Sequence, residues 1–413
     1  MKFCQFPAAP AQPHGGPWQD DTVQRSLGSF LLFFAVFSAL FGGLHYYLWQ
    51  RLVRAPEFGP SFQRWGTVAV IASALLMPAG LALTRALPRS ASSGIAWGIY
   101  SWMGIICLLF FLLLGSEVVR FLAHGVGAAV GAPIDAERRT LLSRGLAIAV
   151  GIAALALAGV GAASALGQVA IKRVRVPLRR LPAAASGFRV VQLSDVHIGP
   201  TIGRSFLEGI VARVNELEPD IVVITGDLVD GSVASLRDEV ASLAGLRSKH
   251  GVFFVTGNHE YYSGVDEWVE ELTRLGVRVL RNERVRIGEG DQGFDLAGVD
   301  DWSAKGFGRG HGADLRRALE GRDTSRELVL LAHQPKQIVE AEAHGVGLQL
   351  SGHTHGGQFV PWNWLVGLDQ PYIAGLERRG DTHIYVSRGT GYWGPPMRVG
   401  APAEITLLEL VSA

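Results

Sequence analysis

Five short motifs in the C-terminal half concentrate the residue types that bind metals and move protons. They read Ser194-Asp195-Val196-His197, Gly226-Asp227-Leu228-Val229-Asp230, Gly257-Asn258-His259-Glu260, His333-Gln334-Pro335 and Gly352-His353-Thr354-His355. Asp195 and His197 are two residues apart, so at a strand end both side chains can lie on one side of the chain. A carboxylate beside an imidazole suits a borderline divalent ion such as Zn, Mn or Fe. Asp227 has two oxygens and can bridge two ions, and Asn258 offers a neutral carbonyl oxygen. His333, His353 and His355 complete a ligand set large enough for two divalent metal ions that share one carboxylate. Two ions about 4 Å apart clamp a phosphoryl group and bring a bridging water toward a pKa of roughly 7, so that hydroxide can attack phosphorus. His259 is the candidate general acid for the leaving alkoxide. Glu260 is expected to orient the His259 imidazole, and Asp230 to support a ligand rather than to be one.

Each motif alone has an ordinary reading: an isolated Asp-Val-His is noise, and Gly-Asn-His-Glu could be a turn. Their succession is what carries weight. Of the chain's 12 histidines, His197, His259, His333, His353 and His355 fall inside these motifs, far more than their combined length would collect at random. His250, His311, His344 and His383 lie outside them and read as surface or core residues.

The motifs need a scaffold that brings them together. Each follows a short apolar, often β-branched run: Phe188–Leu193, Ile221–Thr225, Val252–Thr256, Leu328–Ala332 and Gly347–Leu350. Amphipathic helix candidates lie between them at Phe206–Leu217, Ala234–Leu246, Asp266–Leu275 and Lys336–Ala343. Further strands are expected at Asp295–Val299, His383–Ser387 and Glu404–Leu410. The alternation predicts a layered α/β fold with helices outside the sheets and ligands at the carboxyl ends of strands.

The N-terminal part has a different composition. Four stretches are long enough to cross a hydrocarbon core, which takes roughly 20 helical residues: Leu27–Gln50, Trp65–Thr84, Gly94–Gly115 and Gly145–Ile171. The expected organisation is a tail over residues 1–26, a four-span membrane region over 27–171 and a catalytic domain over 172–413. The tail before Leu27 is polar and Pro-rich, unlike a cleavable signal peptide. Ionisable residues are nearly absent from the span centres, which argues for an anchor rather than a transporter. Arg51, Arg54, Arg64, Arg120, Arg138, Arg139 and Arg144 flank one side, against Lys2, Arg25, Arg85 and Arg89 on the other. The positive-inside rule then makes the catalytic domain extracytoplasmic. Arg138-Arg139 before the last span is similar to a twin-arginine export signal, which points the same way. The basic segment after that span points the other way, although Ile171-Lys172-Arg173-Val174-Arg175-Val176 alternates partly like a strand. A net charge of +1 gives no argument for a nucleic-acid partner. The only cysteines are Cys4 and Cys107, so the C-terminal domain contains neither a disulfide nor a thiolate site.

The order Asp195-x-His197, Gly226-Asp227-x-x-Asp230, Gly257-Asn258-His259-Glu260, His333, Gly352-His353-x-His355 resembles the calcineurin-like metallophosphoesterase superfamily over roughly Gly187–Leu410. The resemblance implies a four-layer α-β-β-α sandwich, here preceded by a four-helix transmembrane region. It also implies one ion on Asp195, His197, Asp227 and His355, a second on Asp227, Asn258, His333 and His353, and His259 as the acid. Protein Ser/Thr phosphatases of the superfamily carry an Arg where this chain has Gly231, which argues against phosphoprotein substrates. Gly356-Gly357-Gln358 and Arg388-Gly389-Thr390-Gly391 look like the bacterial membrane-associated subgroup, similar to transmembrane proteins with a metallophosphoesterase domain. That subgroup implies a lipid or nucleotide-lipid phosphoester of the cell envelope, of the UDP-2,3-diacylglucosamine type. Arg388 and Arg398 are candidate phosphate contacts, although a structural or rim role fits them better. The competing expectation is a catalytically idle membrane sensor that binds a phosphorylated ligand; the complete ligand set and His259 favour the enzyme.

Overall fold

The computed structural model describes residue 36 and residues 38–129, 135–289 and 292–413. The chain divides into two compact units: one runs to Leu87 and resumes over Gly98–Gly159, and the other comprises Pro88–Trp97 with Val160–Ala413.

Long apolar helices make up the first unit. Residues 38–49 are helical and run into a π-helical turn at Gln50–Arg54. Helix α1 (Pro60–Ala86) starts with Pro60, whose missing N–H has no partner to lose in a first turn, and carries Pro78 in its interior. Helices α2 (Arg89–Ala129) and α3 (Ala136–Leu166) follow. Large apolar side chains such as Trp65, Leu75, Phe121 and Leu155 are exposed along them, as expected of helices that are apolar all round and meet lipid. Among the described residues, three helices are long and apolar enough to cross a membrane, not four. The expected span Leu27–Gln50 lies partly outside the described residues, which take it up at residue 36 and from 38 on. With 41 residues, α2 is about 60 Å long, twice a hydrocarbon core of about 30 Å, so its ends project beyond it. The last expected span is also shorter than Gly145–Ile171 at its C-terminal end. Helix α3 stops at Leu166, and Ile171 already pairs with Ile405 in a strand.

The second unit holds two six-stranded sheets. Its strands in chain order are β1 (Ala170–Leu178), β2 (Phe188–Leu193), β3 (Ile221–Ile224), β4 (Val252–Phe254), β5 (Arg278–Val279), β6 (Glu283–Ile287), β7 (Phe294–Gly298), β8 (Leu328–Leu331), β9 (Leu348–Ser351), β10 (Gly375–Arg379), β11 (Thr382–Val386) and β12 (Glu404–Ser412). The first sheet runs β1-β12-β2-β3-β4-β5 and the second β10-β11-β9-β8-β7-β6. Strands β2, β3 and β4 are mutually parallel, as are β7, β8, β9 and β11, so each group presents its carboxyl ends along one edge.

Alternation along the strands builds the layers. Val190, Val223 and Phe253 face Leu296, Val329, Leu331 and Leu350 in the core between the sheets. Their neighbours Val191, Val222 and Phe254 face outward. There they pack under the helices Arg204–Glu216, Val233–Val240 and Val265–Arg274, through Leu207, Val214, Leu236 and Trp268. On the far side Leu328 and Leu330 pack against Ile338 and Ala341. The four-layer α-β-β-α expectation therefore holds. The expected strands are all present; β5, β6 and β10 are additional.

Candidate metal centre

The site is assembled from strand ends of both sheets. Strand β2 ends just before Ser194-Asp195, β3 before Thr225-Gly226-Asp227, and β4 a few residues before Asn258; β8 delivers His333 and β9 delivers His353. The loops then lock to one another. Asp195 N–H donates to Gly226 O (3.0 Å), His197 N–H to Asp227 O (3.1 Å), and Gly352 N–H to His333 O (2.9 Å). The His353 amide donates to Asp195 Oδ1 at 2.8 Å.

This convergence bends the backbone into the left-handed region at Asp195 (φ 52°), His197 (55°), Asp227 (52°), His353 (71°) and His355 (51°). Such conformations cost about 1–2 kcal/mol per L-residue and cluster at functional sites. Close approach also demands glycine twice. A Cβ at Gly352 would collide with Ser194 Oγ and Asp195 Oδ2, and one at Gly257 with Asp227 Oδ1.

The candidate ligands fall into two groups. Asp195, His197 and His355 bring one ligand atom each within 4.8 Å of one another, and so do Asp227, His333 and His353. Asp227 Oδ2 lies between them, 3.1 Å from His333 Nε2 and 3.9 Å from His197 Nε2. Ring nitrogens face each other in pairs: His197 Nε2 and His355 Nε2 at 3.0 Å, His353 Nδ1 and His333 Nε2 at 3.2 Å. Asp195 Oδ2 and Asn258 Oδ1 are buried acceptors with no hydrogen-bond partner. Buried acceptors of this kind are costly unless a donor or a cation meets them. Converging lone pairs, buried carboxylates and orphaned oxygens fit divalent cations and would suit few other groups.

A third cluster adds chemistry. Asp230 Oδ1 sits 2.6 Å from His259 Nδ1 and 3.0 Å from His197 Nδ1. One carboxylate oxygen thus accepts from Nδ1–H of both imidazoles and leaves both Nε2 atoms facing inward. Here the structure departs from the sequence expectation for Glu260. Its carboxylate accepts the backbone N–H groups of Gly257 (2.7 Å), Leu228 (2.8 Å) and Asp227 (3.0 Å), tying two motif loops together. Asp230, not Glu260, is the partner of the His259 ring. The Asp-x-x-Asp spacing was the sequence signal for it, since that spacing returns a second carboxylate to the same loop.

The electrostatics follow from burial and from this crowding. Burial disfavours charge on His259, but the carboxylates of Asp227 and Asp230 outweigh it and push its pKa up to about 9. Burial and the neighbouring His333 bring His353 down to about 3. Burial, His197 and Arg398 hold His355 well below the usual range. Both are therefore neutral imidazoles with lone pairs to give. For His333, burial is outweighed by Asp227, which holds its proton well above the usual range; a cation binding there must displace that proton.

Both arginines already have partners within the protein. Arg398 is buried, and its guanidinium donates to Gly391 O (2.9 Å), His355 O (3.2 Å) and Ala401 O (2.8 Å). Arg388 pairs with Glu404 at 3.1 Å. Sequence reasoning did not assign the Trp393 and Tyr262 rings, whose centroids lie 5.7 Å and 5.3 Å from that of His259.

Comparison with known proteins agrees with this geometry. The model of the calcineurin-like phosphoesterase family matches residues 188–357. A Bos taurus protein described as a transmembrane protein with metallophosphoesterase domain is 44% identical over 75% of this chain and 71% of its own length. Its Danio rerio counterpart is 35% identical over 89% of this chain and 86% of its own length. An uncharacterized metallophosphoesterase of Helicobacter pylori is 44% identical over 54% of this chain and 60% of its own length. Fold and relatives together define a metal-dependent phosphoesterase carried by a membrane protein. The chain belongs to the calcineurin-like metallophosphoesterase family, and its relatives extend beyond bacteria to vertebrates.

Proposed function

We propose that the catalytic unit cleaves phosphodiester, phosphomonoester or pyrophosphate bonds with two divalent ions drawn from Mn, Zn and Fe. Asp195, His197, Asp227 and His355 would hold one ion, and Asp227, Asn258, His333 and His353 the other. The position of Asp227 Oδ2 between the two histidine groups carries this reading. When bound, the ions supply Lewis acidity to the phosphoryl oxygens and lower the pKa of coordinated water. The chain supplies the rest. Asp230 fixes the tautomer of His197 so that Nε2 keeps its lone pair. The same carboxylate holds His259 protonated, with Nε2–H directed inward as proton donor to the leaving oxygen. Glu260 keeps the Asp227 loop against the Asn258 loop.

The substrate we propose is a lipid or nucleotide-lipid phosphoester, of which UDP-2,3-diacylglucosamine is one type. The membrane helices support it, and the vertebrate relatives favour a class wider than one bacterial lipid. We place the catalytic unit on the extracytoplasmic face of a cell membrane. Arg51 pairs with Glu117 (2.7 Å), Arg120 donates to Ser143 (2.9 Å) and Arg144 to Pro56 O (2.7 Å). These contacts gather Arg51, Arg120 and Arg144 within the first unit, in keeping with the positive-inside rule.

Detergent-solubilised full-length protein supplied separately with Mn, Zn and Fe, and screened against phosphoester classes, tests the reading. Hydrolysis that is lost in Asp227→Ala and His259→Ala supports it. Bound metal without turnover on any class would point instead to the idle sensor.

A further inference from the structure

The loop that follows the last histidine motif exposes more large apolar surface than its setting explains. Over residues 359–374 the short helix Trp362–Val366 buries none of its side chains. Val360, Trp362, Trp364, Leu365 and Leu368 are all exposed, Trp364 to 73% and Leu368 to 81%, and Trp393 beside it is 45% exposed. The loop is nonetheless held firmly. Thr354 Oγ1 donates to Ile373 O at 2.6 Å, and Lys336 pairs with Asp369 at 2.7 Å. Gln358 accepts from Trp393 N–H (3.0 Å) and donates to Trp393 O (2.9 Å), joining the two aromatic segments. An exposed apolar patch on a fixed support marks an interaction surface rather than a loose loop.

What meets this surface follows from what it adjoins. Val360 N–H donates to Val399 O at 3.0 Å, and Phe359 bridges to Val399 and Gly400. Arg398 N–H in turn donates to Gly161 O at 2.9 Å, and a Cβ on Gly161 would meet Val399 Cγ2 at 2.9 Å. Gly161 lies in the last turns of α3, a helix of membrane-crossing length that enters the catalytic unit there. The first turns of α2 join the same unit nearby: Ser93 Oγ donates to Pro200 O (3.0 Å), Arg89 to Ile202 O (3.2 Å), and Arg89 pairs with Glu239. Tyr392 OH reaches Thr201 O at 3.5 Å, linking that loop to the Trp393 segment. Two membrane-length helices thus end on the loops that follow His197 and precede Arg398, and the apolar patch continues from them. Tryptophan rings favour the membrane–water interface, where an apolar body and a polar N–H are both satisfied.

We propose that residues 359–374, with Trp393, form a wedge that sits in the headgroup and acyl boundary of the bilayer. The wedge seats the mouth of the metal centre on the membrane surface, so a phosphoester reaches the site while its acyl chains stay in lipid. The position of the wedge is independent of the chemistry; only this consequence rests on the phosphoesterase reading.

The test uses the full chain with Cys4→Ser and Cys107→Ser, labelled with an environment-sensitive nitrobenzoxadiazole fluorophore at Leu368→Cys. A companion protein carries the label at Asp381→Cys, an exposed polar residue after β10. Both are reconstituted in phosphatidylcholine vesicles containing a lipid with a doxyl quencher near the headgroup. The wedge predicts strong quenching at position 368 and little at 381. Equal, weak quenching at both overturns it, as does a 368 label shielded only when protein copies associate. Trp364→Ser with Leu368→Ser should hydrolyse water-soluble bis-p-nitrophenyl phosphate within about twofold of the parent rate. A larger loss would make the loop part of the reacting site and overturn the wedge. Failure of the phosphoesterase reading shows differently, as a parent chain that hydrolyses nothing while position 368 is still quenched.

Discussion

Asp230 Oδ1 lies 2.6 Å from His259 Nδ1 and is shared with His197 at 3.0 Å, so one carboxylate couples the candidate acid to a candidate metal ligand. The imidazoles pull Asp230 well below the usual carboxylate range in spite of its burial, so it stays ionised throughout the working pH range. Asp230→Asn keeps the shape and removes the charge. It should lower kcat by roughly 10–100-fold, the usual loss when a residue that orients metal ligands is changed. Steady-state kinetics at saturating metal check this, and an unchanged kcat would mean that Asp230 positions neither ring.

The raised pKa of His259 fixes the sign of a pH effect. Below about 9 the ring is protonated and can donate; as pH rises through that value the donor is lost and the rate should fall. Bound cations beside Asp227 oppose the raising carboxylates and move this limb to lower pH. His259→Asn should abolish the alkaline limb and reduce kcat by about 10²–10⁴-fold on esters with alkoxide leaving groups. On p-nitrophenyl esters, whose leaving group needs no proton, the loss should be much smaller. Equal losses on both substrates would remove His259 from the acid role.

Arg398 is expected to act through stability. Arg398→Met would leave Gly391 O, His355 O and Ala401 O without their buried donor, at about 1–3 kcal/mol for each unsatisfied group. Thermal unfolding should show a clearly lowered Tm. A raised KM with Tm unchanged would indicate a phosphate contact instead.

Gly352 tests the packing of the site. In Gly352→Ala the new methyl meets Ser194 Oγ and Asp195 Oδ2, an overpacking that costs about 1–3 kcal/mol. The displaced Asp195 should bind metal more weakly, which metal titration followed by Tm will register.

Much of the site could be read in the sequence because strand ends carry their motifs with them. Once the β-branched runs before Asp195, Asp227 and His353 are recognised as parallel strands, their loops must gather at one edge. What pairwise spacing could not give was the orientation of side chains within the gathered loops. Glu260 follows His259 directly, yet the helical turn at Asn258–Ser263 sends its carboxylate back to the Gly257 and Asp227 amides, as an N-terminal helix residue commonly does. Asp230, distant in sequence from His259, lies closer in space. Composition likewise located the apolar helices but not their ends. Ile171 reads as the close of a span, and only its pairing with Ile405 assigns it to the sheet.

Asp227, whose Oδ2 lies between the two histidine groups, is the proposed link between two ions in one hydrolytic centre. Metal content per chain, measured with bis-p-nitrophenyl phosphate hydrolysis on the same full-length samples, tests it most directly. The wild type should hold about two divalent ions per chain and turn over, whereas Asp227→Ala should lose metal from both groups together with activity. A metal-depleted wild type at full rate, or an Asp227→Ala chain that keeps both its ions and its turnover, would contradict it.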